Sequence, residues 1–409
     1  MPTSLQWETN NNTSVSIPKK IKALPAPVRA LLVAANPIDQ TEVVKTLKST
    51  PNLTLDSHPI NQLNTEILRA AKLLILIVPS DQKQAVTLIQ SFSGKCANML
   101  VLGKEISAEL MRTAMQCGAN DFIALDAPTE ELSNAIYTIA SALAEELKLA
   151  PTIAVVNAKG GAGASFISTA IADCLCMRDG GTPVALIDGD HLHGNQMLLL
   201  NKQPQYYFQD ALSHVEQLED SAITGFMSQI DNIHLLPTLP FSQLDSDHFQ
   251  FNNLPNLLFK IRAHYPSVTV DLSQGPDHWS VPILTDAQFI LLVIQDSVAC
   301  IRDAAAAVRY FTMQLGISKD RIHLIFNRFD KSRAQISVED VIDTIGIRSV
   351  FTVRNDFKRA SCCADEGKRL SSFAPKEAIT KDIHAICDAL LPDENAPNQQ
   401  GLWAKLWRK

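Results

Sequence analysis

Five residues with anion-binding chemistry fall within a single short stretch of this chain: Lys159, Gly160, Gly161, Gly163 and Ser165. Glycines let a backbone wrap closely around an anion, and the free N–H groups of a helix N-terminus point at it. The preceding residues 153–156, Ile-Ala-Val-Val, are apolar and mostly β-branched, which predicts a buried strand. The following FISTAIADCLCMR carries apolar residues at helical spacing. Strand, glycine-rich turn and helix is the context in which a phosphate cradle is credible. The usual form of such a loop places lysine immediately before the Ser or Thr. Here Ala164 stands there, and the lysine, Lys159, opens the loop instead. Taken alone, the stretch also fits a glycine-rich turn with no ligand.

Downstream residues decide between the two readings. Residues 183–190, PVALIDGD, form a second apolar strand ending in Asp188 and Asp190, with Gly194 and Asn195 just beyond. Residues 267–275, SVTVDLSQG, predict a third strand carrying Asp271, followed by Gly275. A carboxylate there reads as a Walker B residue, which holds the water shell of Mg²⁺. A later apolar strand, RIHLIFNRF, carries Asn327 near its end, where an exposed turn asparagine is an equal alternative.

Lys-Gly-Gly-x-Gly-x-Ser resembles the deviant loop of the ParA/MinD ATPases, and the order of the later signals matches that family over residues 152–391. The resemblance implies ATP and Mg²⁺ as ligands. Residues Lys159, Gly160, Gly161, Ala162, Gly163, Ala164, Ser165 and Phe166 would surround the phosphates, with Lys159 crossing a dimer interface to the partner's nucleotide. Ser165, Asp188 and Asp271 would serve the metal. Asp190 would orient the attacking water, Gly275 would sense the γ-phosphate, and Asn327 would read adenine. Without a lysine at Ala164, one charge-assisted donor is missing, worth on the order of 1.5–3 kcal/mol. That is roughly 10–100-fold in affinity or rate, so nucleotide binding should survive more readily than hydrolysis.

The whole chain is α/β. Its 409 residues suffice for two domains, and 46% hydrophobic with 19% charged residues is ordinary for a globular protein. Residues 1–27 are polar and proline-punctuated, which predicts disorder. Residues 28–150 alternate strand and helix through five βα units, predicting a flavodoxin-type doubly wound sheet. KLAPT around Pro151 reads as the linker to the P-loop domain, 151–391. The phrasing of the first domain resembles a response-regulator receiver. A receiver's acidic pair is replaced by Ala34-Ala35-Asn36, Ile77 and Val78 stand where its acceptor aspartate would be, and Ala127 replaces its lysine. This predicts a domain unable to take a phosphoryl group, serving docking, dimerisation or structure alone.

A degenerate receiver-like domain ahead of a MinD-like ATPase resembles the TadZ/CpaE family of Flp (Tad) pilus assembly proteins, whose members often lose the second loop lysine. The resemblance implies a homodimer that helps place the Tad pilus secretion machinery, commonly at a cell pole. A slow ATPase switch, a scaffold without turnover, and a ParA/MinD-like protein positioning another cargo all stay open.

The net charge of −7 argues against broad nucleic-acid binding, and no specific nucleic acid is expected. The eight cysteines follow no metal-ligand spacing and read as buried thiols. No apolar run reaches membrane-spanning length and the start of the chain is polar, so a cytoplasmic protein is expected. Residues 392–409 read as a linker and a short amphipathic tail, GLWAKLWRK. Trp403 and Trp407 share a helical face beside basic residues, which suits either peripheral contact with the inner membrane or docking onto protein.

Overall fold

The structure, a computed structural model, describes residues 24–392 apart from 49, 64, 106, 179–180, 216–219 and 241–249. The tail bearing Trp403 and Trp407, and most of the expected N-terminal disorder, lie outside the described residues. Residues 24–27 depart from that expectation. Leu24 and Ala26 are buried. The Leu24 N–H donates to the Pro51 carbonyl, and Asn52 Nδ2 donates back to the Leu24 carbonyl. Packing therefore begins ahead of Val28.

The first half runs β1 (Val28–Ala34), α1 (Pro37–Leu47), β2 (Leu53–Ser57), α2 (Thr65–Ala70) and β3 (Leu73–Ile77). It continues with α3 (Gln82–Ser91), β4 (Met99–Gly103), α4 (Ala108–Gln116), β5 (Asp121–Ala124) and α5 (Thr129–Glu146). All strands pair in parallel, in the order β2-β1-β3-β4-β5. That is a doubly wound order. β3 and β4 are buried at every position because helices cover both faces, so they read as unbroken apolar runs. At the C-terminal edge of this sheet the polar side chains serve as helix caps. Asn36 accepts from the Ile38 N–H, and Asp81 accepts from the Gln84 N–H.

The second half holds an eight-stranded sheet, β13-β12-β11-β6-β10-β7-β9-β8. Its strands are β6 (Thr152–Asn157), β7 (Val184–Asp188), β8 (Ser228–Ile230), β9 (Ile233–Leu236), β10 (Val268–Leu272), β11 (Phe289–Ile294), β12 (Ile322–Phe329) and β13 (Val350–Arg354). The helices are α6 (Ala164–Cys176), α7 (Gln196–Leu199), α8 (Phe208–His214), α9 (Leu254–His264) and α10 (Val281–Asp286). α11 (Val298–Arg309), α12 (Val338–Ile345), α13 (Phe357–Glu366), α14 (Leu370–Phe373) and α15 (Ala378–Leu390) complete them. Every pairing is parallel except β8 with β9, a hairpin the sequence reading did not foresee. β6 lies between β10 and β11, so the chain leaves it in both directions across the sheet. The loop after such a strand opens into a ready-made crevice. Two apolar layers, one on each face, fix this sheet between its helices.

The expected linker is pinned rather than free. The Ala150 N–H donates to the Arg262 carbonyl, Arg262 Nε donates back to the Ala150 carbonyl, and the Val268 N–H donates to Pro151.

Candidate functional site

The glycine-rich loop joins β6 to α6. Gly161 and Gly163 have φ of +82° and +105°, a region that favours glycine. At Gly163 a second constraint applies, because a Cβ would lie 2.4 Å from Asn327 Nδ2. Nothing stands within 4 Å of a Cβ built on Gly160 or Gly161, so the loop's outer face is open.

Three uncharged amide side chains hold the loop from below. Asn157, the last residue of β6, accepts from the Ala164 N–H at 3.0 Å and donates to the Ser273 carbonyl at 2.8 Å. Gln295, just past β11, donates to the Gly161 and Ala162 carbonyls. Asn327 donates to the Ala162 carbonyl at 2.8 Å while its oxygen accepts from the Arg328 N–H. The structure thus gives Asn327 a loop-bracing position, inside β12 rather than at its end. Asn157 and Gln295 were not singled out by sequence; the only signal was a polar residue closing an apolar strand.

Ser165 lies in the first turn of α6, and its carbonyl accepts from Gln196 Nε2, which also donates to the Asp271 carboxylate. Asp188 and Asp271 sit side by side on adjacent strands, in register, and both are fully buried. Burial, followed by repulsion from Asp271, pushes the Asp188 carboxyl well above the usual carboxylate range. Burial pushes Asp271 up to about 6, against the hydrogen bond from Gln196 that lowers it. Among the described residues no lysine or arginine pairs with either acid. Two buried carboxylates beside a hydroxyl are hard oxygen donors that suit a divalent cation retaining several waters. Among the described residues no three His, Cys, Asp or Glu form a ligand cluster.

Asp190 accepts from the Leu192 and His193 N–H groups and from the Ser273 hydroxyl at 3.0 Å. Its loop is tightly folded. A Cβ on Gly194 would lie 2.1 Å from Thr238 Cγ2 and 3.0 Å from Asp188 Oδ2. His191 is packed against Trp279 and Phe208 behind the loop, and burial lowers it to about 4, keeping it neutral. Gly275 has φ of +102° and open space beside it.

The hub of the site is Gln196, which sequence reasoning passed over. It opens α7 and is fully buried. Its Nε2 donates to Asp271 Oδ2 at 2.8 Å, Ser168 Oγ at 2.9 Å and the Ser165 carbonyl at 3.1 Å. Its Oε1 accepts from the Thr169 hydroxyl at 2.6 Å, and its N–H donates to Asp188 Oδ2 at 3.0 Å. One residue, through its side chain and its backbone N–H, therefore joins β7, β10, α6 and α7.

Lys159 is half-exposed and paired with Asp303 of α11 at 3.2 Å. Ala164 is wholly buried, Ala162 nearly so. Beside the loop lies a cavity of about 260 Å³, lined by Gly163, Phe166, Asn327, Arg354, Asp356 and Phe357. Arg354 is held in place there by Asp382.

The fold of the second half is that of a ParA-type ATPase. It is similar to the crystal structure of a ParA family ATPase from Chlorobium tepidum, at 20% identity and a TM-score of 0.53, over 58% of this chain and 98% of that one. The cell division ATPase MinD of Pyrococcus furiosus matches at 20% identity and a TM-score of 0.48, over 59% and 98% of the two chains. By sequence the chain is 26% identical over 172 residues to the antiactivator FleN of Pseudomonas aeruginosa. That match spans 42% of this chain and 59% of the curated relative. No family model matches the chain. Among the described residues no helix is long and apolar enough to cross a membrane.

Proposed function

We propose that this chain is a ParA/MinD-like protein that binds Mg·ATP, dimerises when it does so, and hydrolyses ATP slowly or not at all. One observation carries the reading: an open glycine loop begins α6, and Gln196 ties the Ser165 carbonyl at its mouth to the buried Asp271 carboxylate. Backbone N–H groups between Gly160 and Phe166, other than those of Ala162 and Ala164, which bond the Lys159 carbonyl and Asn157, would receive the phosphates. Ser165, Asp188 and Asp271 would hold Mg²⁺, which when bound neutralises phosphate charge. Asp190 would orient water, the Gly275 N–H would face the terminal phosphate, and the cavity beside Asn327 would take the base. Calorimetric titration with Mg·ATP tests this. Wild-type protein should bind, and Asp271→Ala should weaken binding at least tenfold in Mg²⁺ but little in EDTA. No heat and no fluorescent-analogue signal at millimolar nucleotide would refute the reading.

Lys159 is the one lysine of the loop, and the Asp303 pair holds it within its own chain. Asp303→Ala should therefore lower the protein concentration at which ATP drives dimerisation, with little effect on stability because the pair is exposed. Lys159→Ala should abolish that dimerisation. Light scattering with and without ATP checks both variants, and identical behaviour to wild type would make Lys159 a mere loop residue.

The doubly wound sheet ahead of this unit, together with Ala164 in place of lysine, favours a TadZ/CpaE-like role in placing the Tad pilus secretion machinery at a cell pole. In that role the first half is a receiver-like docking domain without phosphoryl chemistry, since Asn36 and Asp81 are occupied as helix caps. The protein would be cytoplasmic, with the tail at Trp403 and Trp407 as a peripheral membrane contact. Deleting the gene in its source organism should abolish pilus assembly; normal piliation would instead favour positioning of another cargo.

A further inference from the structure

Helices α6 and α15 pack against each other on the face of the sheet behind the loop. At their contact Cys174 Sγ lies 3.4 Å from His384 Nδ1. Cys387, one turn along α15 from His384, belongs with Cys174 to the same buried cluster between the two helices. The two thiols are buried, while His384 is exposed and forms the outer edge of the cluster. Arg178, one turn beyond Cys174, reaches Asp388 at 2.5 Å and the Leu391 carbonyl, so a guanidinium also flanks the sulfur. Nothing in the loop or carboxylate chemistry uses these residues.

The surroundings separate Cys174 from the other buried thiols. Its neighbours Cys387 and His384 draw it down to about 5 despite its burial. Cys387 is pushed well up, by its neighbour Cys174 and by burial. Burial raises Cys176 to about 12 and Cys363 to about 11. A thiolate beside cations is the nucleophilic form of cysteine, and a second thiol in contact can resolve its oxidised product.

We propose that Cys174 and Cys387 are an oxidation site for peroxides, closing to a disulfide that staples the phosphate-loop helix α6 to α15. The Cys174 thiolate attacks one peroxide oxygen; the O–O bond breaks, an S–O bond forms, and hydroxide leaves with the electron pair. Sulfur is oxidised by two electrons to the sulfenic acid and the peroxide is reduced. The Cys387 sulfur then attacks Cys174; the S–S bond forms, the S–O bond breaks, and water departs with the Cys387 proton. His384 stabilises the initial thiolate.

The full chain, treated with a few equivalents of hydrogen peroxide, should lose about 2 Da in intact mass, restored by dithiothreitol. Non-reducing peptide mapping should join Cys174 to Cys387, and the oxidised protein should melt higher than the reduced one. In Cys387→Ser, dimedone should label Cys174. His384→Gln should slow oxidation about tenfold while leaving circular dichroism unchanged. A bond between any other cysteines, first labelling at the more accessible Cys96, Cys117 or Cys362, or no mass loss from wild type overturns the proposal. An unchanged rate in His384→Gln overturns it as well. The wild-type measurements stand even if a variant fails to fold, and none requires nucleotide.

Discussion

Gln196→Leu should destabilise the second half of the protein by about 3 kcal/mol, the largest loss expected from any single neutral side chain in the site. The substitution is close in volume, so the loss does not come from a cavity. It comes from the partners left behind. Asp271 Oδ2 loses a donor in a fully buried place, and hydrogen bonds to charged groups are worth about 1.5–3 kcal/mol. The Thr169 hydroxyl is left with the Ser165 carbonyl as its acceptor, and the Ser168 hydroxyl and Ser165 carbonyl each lose a donor. Gln196→Glu separates this account from simple misfit. It keeps the acceptor for Thr169 but places a third acid beside Asp188 and Asp271. It should be at least as damaging at pH 7 and recover toward wild type near pH 5, where the acid is protonated, whereas the leucine variant should not recover. Urea unfolding of each variant at both pH values measures this, with the two halves followed by separate probes because two domains need not unfold together. A leucine variant within about 0.5 kcal/mol of wild type would mean that the network is dispensable.

Asp271→Asn should change how the nucleotide-free protein responds to pH. Burial raises the folded-state carboxyl to about 6 from an unfolded value near 3.8. The folded state therefore holds its proton more tightly, and wild type loses stability as pH rises between those values. Above about 6 the penalty is constant. Two pH units correspond to about 3 kcal/mol, an upper figure because Asp188 shares the titration. Asparagine carries no such proton, so wild type should lose about 2–3 kcal/mol relative to the variant between pH 4 and pH 7. Asparagine also gives up an acceptor for the Ser273 N–H, an offset that does not depend on pH. Thermal melts of both proteins across this range, without divalent cations, would give parallel curves if the buried pair is not ionised at neutral pH.

The parts legible in sequence were those whose signal is local. β6, β7, β10 and β11 are parallel strands buried on both faces, and their unbroken apolar runs gave them away. Gly161, Gly163, Ser165, Asp188 and Asp271 were marked by glycine spacing and by polar residues inside or after those runs. The loop clamps were not legible, since nothing local marks a side chain whose partner is remote. Asn157 reaches Ser273, and Gln295 reaches back to Gly161. β8 escaped notice because three residues, Ser-Gln-Ile, carry no periodicity, and only the tight reversal at Asp231 (φ +49°) pairs them with β9. The Lys159–Asp303 pair was equally invisible: the sequence offers many acids, and only the placement of α11 selects one.

The three amides beneath the loop come from the last residue of β6, the residue just past β11 and the interior of β12, three strands that are neighbours in the sheet but widely separated along the chain. Asn157 alone can act once β6 meets the β10 end; Gln295 and Asn327 must wait for two further parallel pairings. Parallel, non-local pairing is the slow part of folding such a sheet. The loop is thus among the last parts of the chain to acquire its shape, although it follows directly on the central strand. A newly made chain would pass through a period in which the sheet has largely assembled but the cradle is still unformed. Recovery of ligand binding during refolding should lag recovery of secondary structure, and a chain cut short before β12 would lack the Asn327 brace however well the rest had folded.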